Sequence, residues 1–358
     1  MKRNIQIAVG LILGAFLVWF LFRDTNWANV RDSIEAANWL WLGIAFLCVV
    51  VSFFTRSQRW LVIVRTTKPV SFRGVFNAMQ IGFLANYTLP LRAGEVLRAV
   101  VLARRAQLPF PKCMAFVALD RVTDLFGLLA VLLITAIFFH PERAIELPQG
   151  MELPSWAQSL LEPNTIRQVA QVTALASSGI IGALVLLYLN QPLALRLCGG
   201  IVGLFSKKLA ARANELLTHF AEGLHVFRSP LEMGKAIFWS LVTWALAGAC
   251  FQCLIIAFHL DAPWHTWCLV LAMLSIAISL PGAPGFIGQY QAGIMLPLAL
   301  AIPGISVDTA KAIAILGHLV NLLAVALVGV YSLHDEGTGL LALKQEGDQA
   351  AAHLHEEE

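Results

Sequence analysis

Within NYTLPLRAGEVLR, residues 86–98, Arg92, Glu95 and Arg98 recur at i, i+3 and i+6, so that one helical face carries plus, minus, plus. Beside a low-dielectric cavity the arginines of such a face bind a phosphate, with Glu95 holding their orientation and Asn86 at the head of the cluster. The bland alternative is an interfacial loop whose arginines snorkel to headgroups. The broken apolar segment before the cluster favours function, because it gives a surface helix no reason to exist. A second cluster, Asp120, Arg121 and Asp124, opens the apolar run ALDRVTDLFGLLAVLLITAIFF. Counting back about 20 residues from Phe139 puts the hydrocarbon edge near Asp120 and places Asp124 about one turn inside. Insertion of such a residue costs roughly 2.5–3.5 kcal/mol at mid-membrane and less near the edge, so a partner is expected. Arg121 is placed to pair with Asp124, and Asp120 to reach Arg92 or Arg98; an ion pair that only fixes helix packing is the alternative. A third candidate is the break from Pro281 to Gln291, containing Gly285 and Gly288, where freed N–H groups and a helix start beyond Gly288 make an anion site. A simple kink between two spans is the other reading. His318 and Asn321, one turn apart, read as interhelical packing. Cys250 and Cys253 form a CxxC without a second ligand pair and read as small apolar packing. The sequence thus predicts no catalytic residue, metal or cofactor.

These residues sit in a chain of 358 residues that is 58% hydrophobic and only 13% charged, with a mean hydropathy of +0.73. A soluble domain carries roughly a quarter charged residues, so water is not its only solvent. Apolar runs of about 20 residues predict an all-α integral membrane protein, a polytopic helical bundle with six full spans near 5–22, 39–64, 114–139, 166–189, 235–258 and 310–332. The first run ends in VWFLF with no small-residue cleavage site, so it is a retained span rather than a signal peptide. The six cysteines suggest no disulfide framework.

Two stretches fit no full span. Residues 74–89 are interrupted by Asn77, Gln80 and Asn86, and residues 265–301 are split by the Pro/Gly cluster. Irregular backbone at membrane depth must line protein or a water-filled cavity. Both stretches are therefore expected to be re-entrant hairpins, at about 74–106 and 265–301. Residues 55–73 hold five basic residues and no acid, and residues 190–235 are also basic, which sets both on the cytoplasmic side; the acidic, proline-rich stretch 140–165 reads as exterior. Span, hairpin and span then recur twice in opposite orientation, an inverted-topology repeat expected from topology alone. Residues 1–332 form one transmembrane domain on this reading. The connector at 190–232 is either an amphipathic helix on the cytoplasmic leaflet or a plain solvated helix. The tail, 333–358, is expected to be disordered.

The strings RSQRW, NYTLPLRAGEVLR, ALDRVTDLFG and PGAPGFIGQYQAG, in that order, resemble the membrane region of the lysylphosphatidylglycerol synthase/flippase family over about residues 5–332. By that resemblance the family's proline–arginine–glycine–glutamate pattern falls on Pro90, Arg92, Gly94 and Glu95, with Arg98 following. Its acidic pair falls on Asp120 and Asp124, and its late turn on Pro284, Gly285 and Gly288. Where the family commonly has a glutamate, this chain has Gln291, which puts proton or cation coupling there in doubt. The soluble aminoacyl-transfer domain of bifunctional members has no counterpart here, so synthesis of lysyl-lipid is not expected.

The resulting expectation is an inner-membrane translocase for an anionic phospholipid or a polyprenyl phosphate. Arg92 and Arg98 would take the phosphate, and no nucleic acid partner is expected. The alternatives are a non-transporting accessory protein for a lipid-modifying or glycolipid-assembly enzyme, and a membrane-embedded transferase with Glu95 or Asp120 as general base.

Overall fold

A computed structural model describes residues 2–89, 93–139, 162–203, 218, 230–279 and 282–356. Among these the regular structure is entirely helical. The helices are α1 (Lys2–Phe22), α2 (Trp27–Glu35), α3 (Trp39–Arg65), α4 (Phe72–Thr88), α5 (Gly94–Ala106), α6 (Phe110–Phe138), α7 (Pro163–Leu189), α8 (Gln191–Gly203), α9 (Pro230–Ala257), α10 (Thr266–Ser279), α11 (Gln289–Ala301), α12 (Val307–Glu336) and α13 (Leu340–Glu356). Five of them, α3, α6, α7 over residues 167–189, α9 and α12, are long and apolar enough to cross a membrane. The sixth expected span coincides with α1, which is 21 residues long and apolar over residues 10–22. The protein is a multi-pass helical membrane protein.

Local chemistry sets the helix ends. Asn38, Ser71 and Ser306 each accept a backbone N–H at the start of α3, α4 and α12. Gln107 and Gly337 adopt left-handed conformations that stop α5 and α12. The polarity of the bundle is that of a protein in hydrocarbon. Leu47, Phe54, Ile137, Phe238, Leu323 and Leu327 face outward, while Arg59, Arg98, Asp120 and Asn77 are buried within.

Two pairs of helices are too short to cross roughly 30 Å of hydrocarbon at about 1.5 Å per residue. The helices α4 and α5 are 17 and 13 residues long, and α10 and α11 are 14 and 13. Each pair packs against itself. In the first pair the two backbones touch, because a Cβ on Gly94 would collide with the Gly82 carbonyl oxygen and the Asn86 side chain. Gly94→Ala is accordingly expected to force α4 and α5 apart, lowering stability by about 1–3 kcal/mol, as read by thermal unfolding in detergent. In the second pair the link contains a short turn at Pro284–Phe286, where Gly285 and Gly288 take φ of 71° and 84°. Glycine is the residue that adopts these angles without strain.

The apolar interior forms two clusters. One gathers Ala45, Val49 and Phe53 of α3 with the later half of α9 and with α10, α11 and α12. The other gathers Trp60, Ile63 and Val64 of α3 with α4, α5, the start of α6 and the start of α9. On α3, α6 and α9 the residues between these clusters include polar ones, namely Arg56 and Arg59, Asp120 and Asp124, and Ser240 and Thr243. A charged layer therefore lies between two apolar cores.

The tail corrects its expectation. Residues 340–356 form α13, which packs on α5, with Leu343 fully buried and Gly347 set against Val96 and Val100. The stretch LLALKQEG carries apolar residues at helical spacing ahead of the acidic end that had suggested disorder. Of the connector, residues 191–203 form α8 after a break at Asn190, whereas 204–229, apart from 218, lie outside the described residues, as does 140–161.

Candidate functional site

The charged layer is built from three helices. In α3, Arg56 and Arg59 stand one turn apart; α5 presents Glu95 and Arg98; α6 presents Asp120, Arg121 and Asp124. They join in one chain of alternating sign. Arg121 donates to Glu95 Oε1, and Arg98 donates through Nη2 to Glu95 Oε2 at 2.7 Å. Arg98 Nη1 reaches Asp120 Oδ2 at 2.8 Å, and Arg59 Nε reaches Asp120 Oδ1 at 2.9 Å. Arg59 Nη1 then donates to Asp124 Oδ1, which also accepts Trp244 Nε1 at 3.0 Å. Three guanidinium groups thus meet three carboxylates, and the chain is electrically neutral. Neutrality is what makes it tolerable at this depth, because a lone buried charge costs several kcal/mol (~) whereas a paired and hydrogen-bonded one is compensated. Further contacts fix its geometry. Arg98 lies 5.1 Å from the centre of the Trp60 ring, and Ser240 Oγ accepts Arg59 Nη1 at 3.3 Å.

Arg56 stands outside this balance. It makes no ion pair or hydrogen bond among the described residues, and its guanidinium lies 5.8 Å from the centre of the Phe83 ring. It faces a partly open cavity of about 450 Å³ whose polar wall includes Arg56, Asn86, Glu95, Arg121 and Asp124. Phe83, Leu128, Phe251, Leu274 and Phe286 are among the residues of its apolar wall. That volume lies in the range of about 300–1,000 Å³ usual for small-molecule sites. Counting the charges of the wall and of the chain behind it gives four arginines, Arg56, Arg59, Arg98 and Arg121, against Glu95, Asp120 and Asp124. The described site has one positive charge in excess, and it faces the cavity.

The residues singled out from the sequence divide into three groups. Glu95, Arg98, Asp120, Arg121 and Asp124 come together. Asp120 meets Arg98, as its position on the face implied, but Arg121 is engaged chiefly by Glu95 and stands 4.0 Å from Asp124. Asn86 lines the cavity and also caps α5, its Oδ1 accepting Gly94 N at 2.9 Å. Arg92 lies outside the described residues. The third group, Gly285, Gly288 and Gln291, is set elsewhere. Gln291 Oε1 accepts Gly288 N at 2.8 Å, closing the first turn of α11, and its amide nitrogen meets His318 Nδ1 at 2.8 Å. Gly288 abuts Gly14 and Leu17 of α1. At that helix start the Gly288 N–H is thus taken by Gln291 and the turn is packed under α1, while Phe286 and Tyr290 line the cavity. His318 and Asn321 join helices, Asn321 accepting the Tyr87 hydroxyl at 2.7 Å.

Arg56 and Arg59 are the residues that sequence reasoning missed, having been counted among the basic residues at the end of a span. The signal was present: SFFTRSQRW puts two arginines one turn apart ahead of a further apolar stretch, WLVIV, which an interfacial arginine does not need. Trp244 was likewise hidden in an apolar run. Its ring lies where a Cβ on residue 127 would be, so Gly127 is what admits it to Asp124.

Fold and site define a polytopic membrane protein with a charged, partly open cavity within its helical bundle. Residues 7–329 match the lysylphosphatidylglycerol synthase TM region, and the chain belongs to that family. It is also 24% identical over 367 aligned positions to the glycosyltransferase AglD of Haloferax volcanii, a match covering 99% of this chain and 58% of that protein. The chain thus spans somewhat more than half the length of that relative.

Proposed function

We propose that this protein is an inner-membrane translocase for a lipid with an anionic, phosphate-bearing headgroup, either a phospholipid or a polyprenyl phosphate, and that the headgroup passes through the cavity beside Arg56. The observation that carries this reading is the charge count. A neutral chain of three arginines and three carboxylates has one further guanidinium beside it, unpaired among the described residues and open to the cavity. A phosphate oxygen pairs with such a group through charge-assisted hydrogen bonds. Arg98 is not available for that role, since it is 2% exposed and bound to Asp120 and Glu95. Arg98, Glu95, Asp120 and Arg59 are the frame; Arg56 is the contact, with Arg121 at the rim of the cavity.

Movement follows from the two short helix pairs, read as re-entrant hairpins of an inverted repeat whose rocking alternates access to the cavity. The basic residues at and just beyond the ends of α3 and α5, Arg65, Lys68, Arg104 and Arg105, support a cytoplasmic location for that side of the bundle. Chemistry on a bound headgroup is disfavoured. Both oxygens of Asp120 and both of Glu95 are taken by guanidinium groups, which leaves neither as a general base. The relationship to a protein named as a glycosyltransferase supports a second reading, in which the cavity holds a lipid-linked substrate for a partner enzyme without moving it.

Reconstitution into liposomes separates the two. With fluorescent anionic and zwitterionic lipids and an external reductant, translocation predicts protein-dependent leaflet exchange that favours the anionic lipid. Verified insertion with no exchange of any anionic lipid, a polyprenyl phosphate included, would transfer the assignment to the accessory reading.

A further inference from the structure

A second polar cavity, of about 330 Å³, opens at the opposite end of the α4–α5 pair from the charged layer, between the start of α4 and the end of α5. Lys68, Ser71, Gly74, Arg105 and Gln107 are among its lining residues, and none of the described lining residues is acidic. Lys68 Nζ donates to the Ala106 carbonyl at 2.5 Å, and among the described residues no carboxylate pairs with its charge. Arg105 is ion-paired through Nε with Glu336, at 2.7 Å, and among the described residues the two terminal nitrogens of its guanidinium remain for another acceptor. Nearby, Arg65 donates, among the described residues, only to the Val70 carbonyl, at 3.2 and 3.1 Å. The start of α4 adds the partial positive charge of a helix N-terminus to the same wall.

We infer that this cavity is a peripheral binding site for a phosphate anion, gripped between the Lys68 ammonium and the Arg105 guanidinium and separate from the central cavity. Two features favour phosphate over a carboxylate. The donors come from two directions, an ammonium on the α3–α4 link and a planar guanidinium on α5, and a phosphate offers oxygens to both. The cavity also lies at helix ends on the basic side of the bundle, where headgroup phosphates gather. A bound anion ties the start of α4 to the end of α5. It thereby steadies the pair whose other end carries Asn86, Glu95 and Arg98. The same phosphate chemistry can come from a lipid headgroup or from free phosphate.

The test is thermal unfolding of the full chain in nanodiscs, with three arms: zwitterionic lipid alone, zwitterionic lipid with inorganic phosphate, and a titration of anionic phospholipid. Saturable stabilisation in the lipid arm alone identifies a headgroup site; stabilisation by inorganic phosphate identifies a soluble phosphate. In either case Lys68→Ala is expected to weaken the apparent affinity about tenfold, the worth of one charge-assisted hydrogen bond. Lys112→Ala, an exposed lysine of α6 that does not line the cavity, should change it by less than about twofold. Equal losses from Lys68→Ala and Lys112→Ala would mean diffuse surface attraction and overturn the site, as would no saturable stabilisation in any arm. This reading does not depend on translocation, because its readout is stability.

Discussion

Asp120→Asn is expected to lower the stability of the protein by about 3–5 kcal/mol, the usual cost of removing one partner from a buried ion pair. The substitution keeps the shape of the side chain and removes the charge shared by Arg59 and Arg98, at 2.9 and 2.8 Å. All three side chains are no more than 2% exposed, so neither arginine recovers water as a partner. Thermal unfolding in detergent should show an early transition, and yield from the membrane should fall. By contrast, Arg104→Ala breaks an ion pair with Glu346 in which both side chains are about half exposed. A pair of that kind is worth roughly 0–1 kcal/mol. If Asp120→Asn were no more disruptive than Arg104→Ala, the alternating chain would not be the frame of the bundle.

Arg56→Gln should do the opposite, leaving the fold intact and removing the function. Arg56 makes no hydrogen bond or ion pair among the described residues, and Asp124, the carboxylate its charge acts on, keeps Arg59 and Trp244, so its replacement strands no buried carboxylate. The same change at Arg59 would strand two. Loss of one charge-assisted hydrogen bond to a phosphate is worth about 1.5–3 kcal/mol, or at least about tenfold in the rate of anionic lipid exchange at limiting lipid. The unfolding temperature should stay close to that of the wild type, and exchange of zwitterionic lipid should be little affected. A variant that unfolds early, or one that exchanges anionic lipid as fast as wild type, would remove Arg56 from the role assigned to it.

The alternation at Arg92, Glu95 and Arg98 and the acids of the following span were visible in the sequence because each charge stood out against apolar neighbours at helical spacing. That Asp120 would reach Arg92 or Arg98 followed from the face it shares with Asp124, and it is Arg98 that it meets. Arg59 escaped because its partners lie 61 and 65 residues away on another helix, and sequence spacing within one segment cannot show a contact across a bundle. For the same reason Arg98 looked available for phosphate when it is committed to the frame. The Pro/Gly break was recognisable as a turn. That Gln291 satisfies the Gly288 N–H is a local contact three residues apart, whereas the cover that α1 gives Gly288 is a tertiary contact made through Gly14. The tail was misjudged from its acidic end, while its ordering comes from Leu343 packing on α5.

The central claim is that an anionic headgroup enters the cavity beside Arg56. Photocrosslinking addresses it most directly, with a photoreactive residue in place of Leu128 on the cavity wall and another in place of Leu327, which faces outward at 57% exposure. With a radiolabelled anionic phospholipid, the account predicts an adduct at position 128 that disappears when Arg56→Gln is added, while labelling at position 327 is the same in both backgrounds. No adduct at position 128, or one indifferent to Arg56→Gln, would contradict it.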